Sequence, residues 1–137
     1  MNIKQALEKL RDDKNYYGKF GQKFLSNSNI KTLFTNPAAI HEQQQKTSAF
    51  LVGGYFHTAI LEPDKLKKYL VIPSATRNTK LYKEMSGGEL CLLQHEVDHI
   101  EKLSEKLLNN ETCNHLINNG LVEHEVPGLA MLYDNNW

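Results

Sequence analysis

Apolar residues recur at helical spacing from the start of the chain, where Ile3, Ala6, Leu7 and Leu10 predict a helix over 3–14. The NYYGKFGQKF that follows is rich in aromatics and glycine and predicts a loop or short turns. In LSNSNIKTLFTNP, Ser26 or Ser28 is placed to cap a short helix carrying Ile30, Leu33 and Phe34, which Pro37 then stops. A polar connector, HEQQQKT, leads into FLVGGYFHTAILEP over 50–63, the longest apolar run of the chain. That run predicts a helix capped by Thr47 or Ser48 and ending near Leu61.

Glu62-Pro63-Asp64 starts a new turn, and LKKYLVIP predicts a short helix passing into a strand at 70–72. SATRNTKLYKE reads as a polar, basic connection. Ser86-Gly-Gly-Glu89 has capping-box spacing and is expected to launch the longest helix, 89–108. There Leu90, Leu93, Val97, Ile100, Leu103 and Leu107 form one apolar stripe. NNETCNHLINNG predicts a short helix ended by Gly120, and LVEHEVPGLAMLYDNNW predicts two strands about a Pro127-Gly128 turn. A two-stranded hairpin is marginal alone, so the sequence reads as cut off inside its sheet.

A length of 137 residues suits one domain with a real core. Lys+Arg 16 against Asp+Glu 16 leaves no net charge, so any contact with nucleic acid needs a local basic patch. Two cysteines, Cys91 and Cys113, are too few for a disulfide framework and suit a reducing compartment. MNIKQALEKLRDDK lacks the apolar centre of a signal peptide, and no window approaches the length of a membrane span. The expectation is a soluble, cytoplasmic, single-domain protein.

Three constellations could carry chemistry. Gly53 lies one helical turn before His57, so both share a face, and a missing side chain there lets an ion, a phosphate or another backbone approach the imidazole. Two adjacent glycines inside a helix each cost about 1 kcal/mol against alanine, and close packing of another element would justify them as well as a ligand. His95-Glu-Val-Asp-His99 satisfies H-E-x-x-H, the pattern that lets two histidines share a zinc with the glutamate as base. Gln94 extends it to QHEVDH, which also resembles the third motif of peptide deformylases, but their cysteine-bearing and glutamine-ending segments have no counterpart here. Asp98 puts a charge inside the motif, Glu123 is only a loose third ligand, and both histidines lie opposite the apolar stripe. The third constellation is the basic connection with Arg77, Lys80 and Lys83, following Lys65, Lys67 and Lys68, which could meet phosphates or be an ordinary solvated loop.

Taken in order, three passages resemble the N-terminal half of a phage-type exonuclease of the PD-(D/E)XK superfamily, the exonuclease VIII-like branch. LSNSNIKTLFTNP resembles the opening helix of that family, and FLVGGYFHTAILEPDKLKKYLVIP resembles its Gly-x-x-x-His helix followed by Leu-Glu-Pro and a strand. LVEHEVPGLAMLYDNNW resembles the hairpin leading into the catalytic strand. The likeness implies an α/β fold with a restriction-endonuclease-like core. In RecB-like nucleases that share the second block, the histidine helps hold the catalytic ion. By that match His57 is an expected metal ligand and catalytic residue, with Gly53 and Gly54 supporting the site. The ion would be Mg²⁺ or Mn²⁺, held by carboxylates from an aspartate and a Glu-x-Lys on successive strands. DNA is the implied partner, met by Arg77, Lys80 and Lys83, with a homo-oligomer or a recombination protein as further partners.

The sequence departs from the family where the catalytic aspartate is expected, within a few residues of Trp137. Asp134 falls in the expected turn before that point, and Glu8-Lys9, Glu101-Lys102 and Glu105-Lys106 have the wrong spacing for Glu-x-Lys. The expectation is therefore a fragment of a phage-like DNA exonuclease serving recombination or DNA degradation, inactive by itself. Two alternatives stand beside it. One is a small zinc hydrolase using His95, Glu96 and His99; the other is a non-catalytic DNA-binding or inhibitory module.

Overall fold

The structure is a computed structural model and describes residues 2–42, 45–121 and 123–130. It falls into two compact units, Met1–Gln43 with Glu125–Trp137, and Gln44–His124. In the first unit, α1 (Ile3–Leu10) is closed at its start by a reciprocal Asn2–Gln5 capping box and buries Ala6 and Leu10. The helix expected over 3–14 stops at Leu10; the separate α2 (Asp13–Tyr16) runs into the aromatic, glycine-rich stretch, which then makes a 3₁₀ turn at Gly21–Lys23. Side chains at Gly18 and Gly21 would collide with the Lys14 and Tyr16 carbonyls, so this tight path needs glycine. Ser26, not Ser28, caps α3 (Asn27–Thr35), and Pro37 opens a further 3₁₀ turn, Pro37–His41.

The second unit is built on α4 (Ser48–Leu61), whose N-cap is Thr47, accepting from the Phe50 N–H at 3.3 Å. A 3₁₀ turn at Pro63–Lys68 feeds β1 (Val71–Ile72). Next come α5 (Lys80–Ser86), β2 (Leu92–Leu93), α6 (Gln94–Leu108) and α7 (Glu111–Asn118). β1 and β2 pair in parallel with Val71 opposite Leu92 and Ile72 opposite Leu93. Parallel neighbours need a crossover, and α5 supplies it. The class is α/β: mostly helical, with one short parallel pair in the second unit among the described residues.

Side chains alternate across the pair, and each strand face has its own layer. Leu92 joins Tyr55 of α4 and Val97 and Ile100 of α6, with Leu51, Val52, Phe56, Leu66, Tyr69 and Val71 packed around them. On the other face, Ile72 and Leu93 meet Tyr82 of α5 and Cys91. Ile72 and Leu92 are each 0% exposed, and burying such a side chain contributes about 1.5–3 kcal/mol.

Further expectations change. The helix expected from Glu89 starts at Gln94, because Cys91, Leu92 and Leu93 are all buried in a row. Three consecutive buried residues suit a strand between two layers, whereas a helix would bury only one face. Ser86-Gly-Gly-Glu89 is consequently no helix start. Ser86 ends α5, and Gly87 turns the chain away at φ +58. The polar, basic stretch read as a connection holds α5 itself, capped by Thr79 and anchored by buried Tyr82. In the expected C-terminal hairpin, residues 121 and 123–130 form no strand; 131–137, with Asp134 and Trp137, lie outside the described residues. Among the described residues no helix is long and apolar enough to cross a membrane.

The revised register has a direct consequence for stability. Leu92→Ala is expected to cost about 2–5 kcal/mol in urea unfolding, as for a core leucine. Leu90→Ala, at a position 36% exposed, should stay within about 0.5 kcal/mol of the parent. The reverse order would restore a helix beginning at Glu89.

Candidate functional site

α4 presents the Gly-x-x-x-His pair to solvent, since both Gly53 and His57 are exposed. The two glycines differ. A Cβ at Gly54 would lie 3.4 Å from the Tyr69 hydroxyl, so close approach of another element accounts for it. A Cβ at Gly53 would meet nothing within 4 Å. Packing thus explains one glycine and leaves the other, beside His57, unexplained. On the opposite side of the same turn, Thr58 is buried and bonds both the Gly54 carbonyl, at 2.8 Å, and the Tyr69 hydroxyl, at 3.0 Å.

Two of the other sequence candidates, Arg77 and Glu96, meet at the start of α6. Arg77 donates through one Nη2 to the Glu96 carboxylate at 2.7 Å and to the Cys91 carbonyl at 3.2 Å. The same Glu96 oxygen accepts the Leu93 N–H at 2.9 Å, closing the first turn of the helix. Tyr82 accepts the Cys91 N–H at 2.7 Å and donates to its carbonyl at 3.2 Å. Leu92 donates to the Leu70 carbonyl at 3.2 Å and so faces β1. By alternation, Cys91 and Leu93 turn their polar backbone outward. Tyr82, Arg77 and Glu96 therefore occupy the edge of β2 where a further strand would pair, and they leave no template there for one.

That packing sets the charges. Burial by itself pushes the Glu96 carboxyl up, but the Arg77 hydrogen bond and the Leu93 N–H outweigh it and hold the group below its ordinary value. The Glu96 hydrogen bond raises Arg77 in turn, against the opposing effect of burial. Burial pushes the Cys91 thiol up, away from the reactive thiolate.

The H-E-x-x-H motif divides under this geometry. His95 and His99 are exposed on α6, while Glu96 points into the Arg77 network. A carboxylate already held by a guanidinium and a backbone donor is a poor proton acceptor. Asp98, the charge inside the motif, accepts from Gln94 at 2.8 Å. Of the basic residues, Lys80 stands 90% exposed, 3.7 Å from Glu84, and Lys83 is also exposed on α5. The structure thus brings Arg77 and Glu96, drawn from two different candidate sets, into one contact. It gathers no group of three His, Cys, Asp or Glu side chains suited to a metal among the described residues. No protein-family model, curated protein or solved structure matches the chain.

Sequence reasoning missed Tyr82, Thr58 and Tyr69 as organising residues. Thr79, three residues before Tyr82, was a readable helix cap; a phenol bonding a strand edge leaves no periodic trace.

Glu96→Gln keeps the shape and removes the charge, and should cost about 1.5–3 kcal/mol, the range for hydrogen bonds to charged groups. The acid response follows in sign. The folded pKa of Glu96 is depressed, so its contribution is fully present above the unfolded value of about 4.5 and is lost as pH falls through the folded value. Thermal unfolding from pH 7 to pH 3 should show that loss in the parent and a smaller one in Glu96→Gln.

Proposed function

We propose that the chain is part of a metal-dependent deoxyribonuclease of the PD-(D/E)XK type, with His57 as one ligand of the catalytic ion. The observation that supports this is Gly53, an exposed glycine inside a helix, one turn from His57, with nothing packed where its side chain would be. Such a glycine costs about 1 kcal/mol, and an open approach to the imidazole gives it a purpose. The short parallel pair between helical layers is compatible with a restriction-endonuclease-like core.

On this reading the catalytic carboxylates, an aspartate and a Glu-x-Lys, lie on strands beyond the described residues. A hard divalent ion prefers oxygen ligands, and no group of three His, Cys, Asp or Glu side chains gathers among the described residues. With those carboxylates beyond Trp137, residues 1–137 alone are expected to hydrolyse no DNA. Lys80 and Lys83 are the cations of α5 available to phosphates, because Arg77 is held by Glu96 and the Cys91 carbonyl. Glu96, committed in the same way, gives a zinc hydrolase on α6 no supporting observation.

The test begins with the reading frame beyond the Trp137 codon, which is expected to encode an aspartate and then a Glu-x-Lys. A chain extended through them should degrade linear duplex DNA with Mg²⁺. His57→Ala should slow that reaction about a hundredfold, the scale of losing charge stabilisation at a metal. Gly53→Ala should raise stability by up to about 1 kcal/mol while lowering the rate. Full activity in His57→Ala, or a stop codon followed by unrelated sequence, would sink the reading. Salt-sensitive DNA binding without cleavage by the extended chain would favour a non-catalytic module.

A further inference from the structure

Gly53, with open space where its side chain would be, and its neighbour Gly54 also soften α4 about one turn before His57. Glycine restricts the backbone least, so a Gly53-Gly54 pair inside a helix is where rotation or bending is easiest. A ligand side chain carried on the next turn would inherit that freedom. A site built to bind an ion has to hold its ligands within a fraction of an ångström, by groups behind them.

Such groups stand on the buried side of this turn. Thr58, only 3% exposed, donates its hydroxyl proton to the Gly54 carbonyl at 2.8 Å. Its one proton is then committed, so the 3.0 Å contact with Tyr69 has the phenol donating to Thr58 Oγ1. The result is a directed chain from Tyr69 through Thr58 to the carbonyl of the second glycine. Tyr69 is itself held. It follows the 3₁₀ turn just before β1, and its ring meets Tyr55 edge-on at 5.2 Å and 81°. The phenol reaches its partner by passing Gly54, where a Cβ would stand 3.4 Å from its oxygen.

We propose that Tyr69 and Thr58 are positioning residues for His57, locking the soft Gly53–Thr58 turn of α4 to the base of β1 so that the imidazole keeps one orientation. The inference rests on the reading of His57 as a ligand for its purpose, but the geometry it asserts does not need an ion or DNA to be measured. Serine and threonine hydroxyls that bond back to the i−4 carbonyl tend to bend a helix, and here that hydroxyl is held from outside by Tyr69.

The test is carried out on residues 1–137, following the His57 ring signals by ¹H–¹³C correlation NMR, with His57→Gln identifying them among the six histidines. Tyr69→Phe removes one hydroxyl, and Thr58→Val removes the middle of the chain at the same shape. Both are expected to move the His57 ring signals by more than their line width, whereas Thr58→Ser, which keeps the hydroxyl, should leave them in place. Tyr82→Phe serves as a control, losing a buried phenol elsewhere with the His57 signals unchanged. Unmoved His57 signals in folded Tyr69→Phe and Thr58→Val would overturn the proposal and leave the nuclease reading untouched. An active His57→Ala enzyme in the extended chain would sink that reading without bearing on these shifts. Equal movement in Tyr82→Phe would reduce the effect to general loosening and also overturn the proposal.

Discussion

The second unit depends on one charged contact made where three segments meet. Arg77, in the loop after β1, reaches the carboxylate of Glu96 at 2.7 Å and the carbonyl of Cys91, tying that loop to β2 and to the first turn of α6. Strands of two residues offer few ladder bonds, and a parallel pair this short has little stability of its own. What holds it is burial on both faces and side chains that take over the backbone groups β2 turns outward. Removing either partner of the ion pair would leave a partly desolvated charge behind, the costliest way to break such a contact.

This arrangement changes what several residues are for. Arg77 and Glu96 invite a chemical reading from their neighbours in sequence, one among lysines and the other inside H-E-x-x-H. In space they neutralise each other, and the residues that remain exposed are Lys80, Lys83, His95 and His99. The opposite holds for α4. An apolar helix with a histidine in it suggests a core element, yet Gly53 and His57 face outward and the turn behind them is anchored by Thr58 and Tyr69. Hydrogen bonding on the buried side and open space at Gly53 on the other are what the ligand role proposed for His57 calls for.

Much of the helical organisation was legible because it depends on local chemistry. Ser26 and Thr47 cap helices by accepting N–H groups three residues on, a rule that needs no distant partner. The apolar spacing of α1 and α4, and the glycine that follows α7, work in the same way. The misreading of 86–93 has a physical cause. Leu90, Leu93 and Val97 fit a helical stripe as well as Cys91, Leu92 and Leu93 fit a buried strand, and a short apolar run cannot choose between them. The choice was made by Val71 and Ile72, some twenty residues earlier, which offer Leu92 and Leu93 a pairing edge.

By itself, then, the sequence determined the start of α1, the limits of α3 and α4 and the stop after α7, that the chain carries no net charge, and which candidate side chains it carries. Each of these follows from contacts within a turn or two of the backbone, or from composition. Only the tertiary structure decided that 92–93 is a strand, that Glu96 is a structural carboxylate paired with Arg77, and that Gly54 is packed while Gly53 is open. Those outcomes depend on groups many residues apart competing for the same buried donors and the same space. Neighbours in sequence carry no record of which distant partner wins.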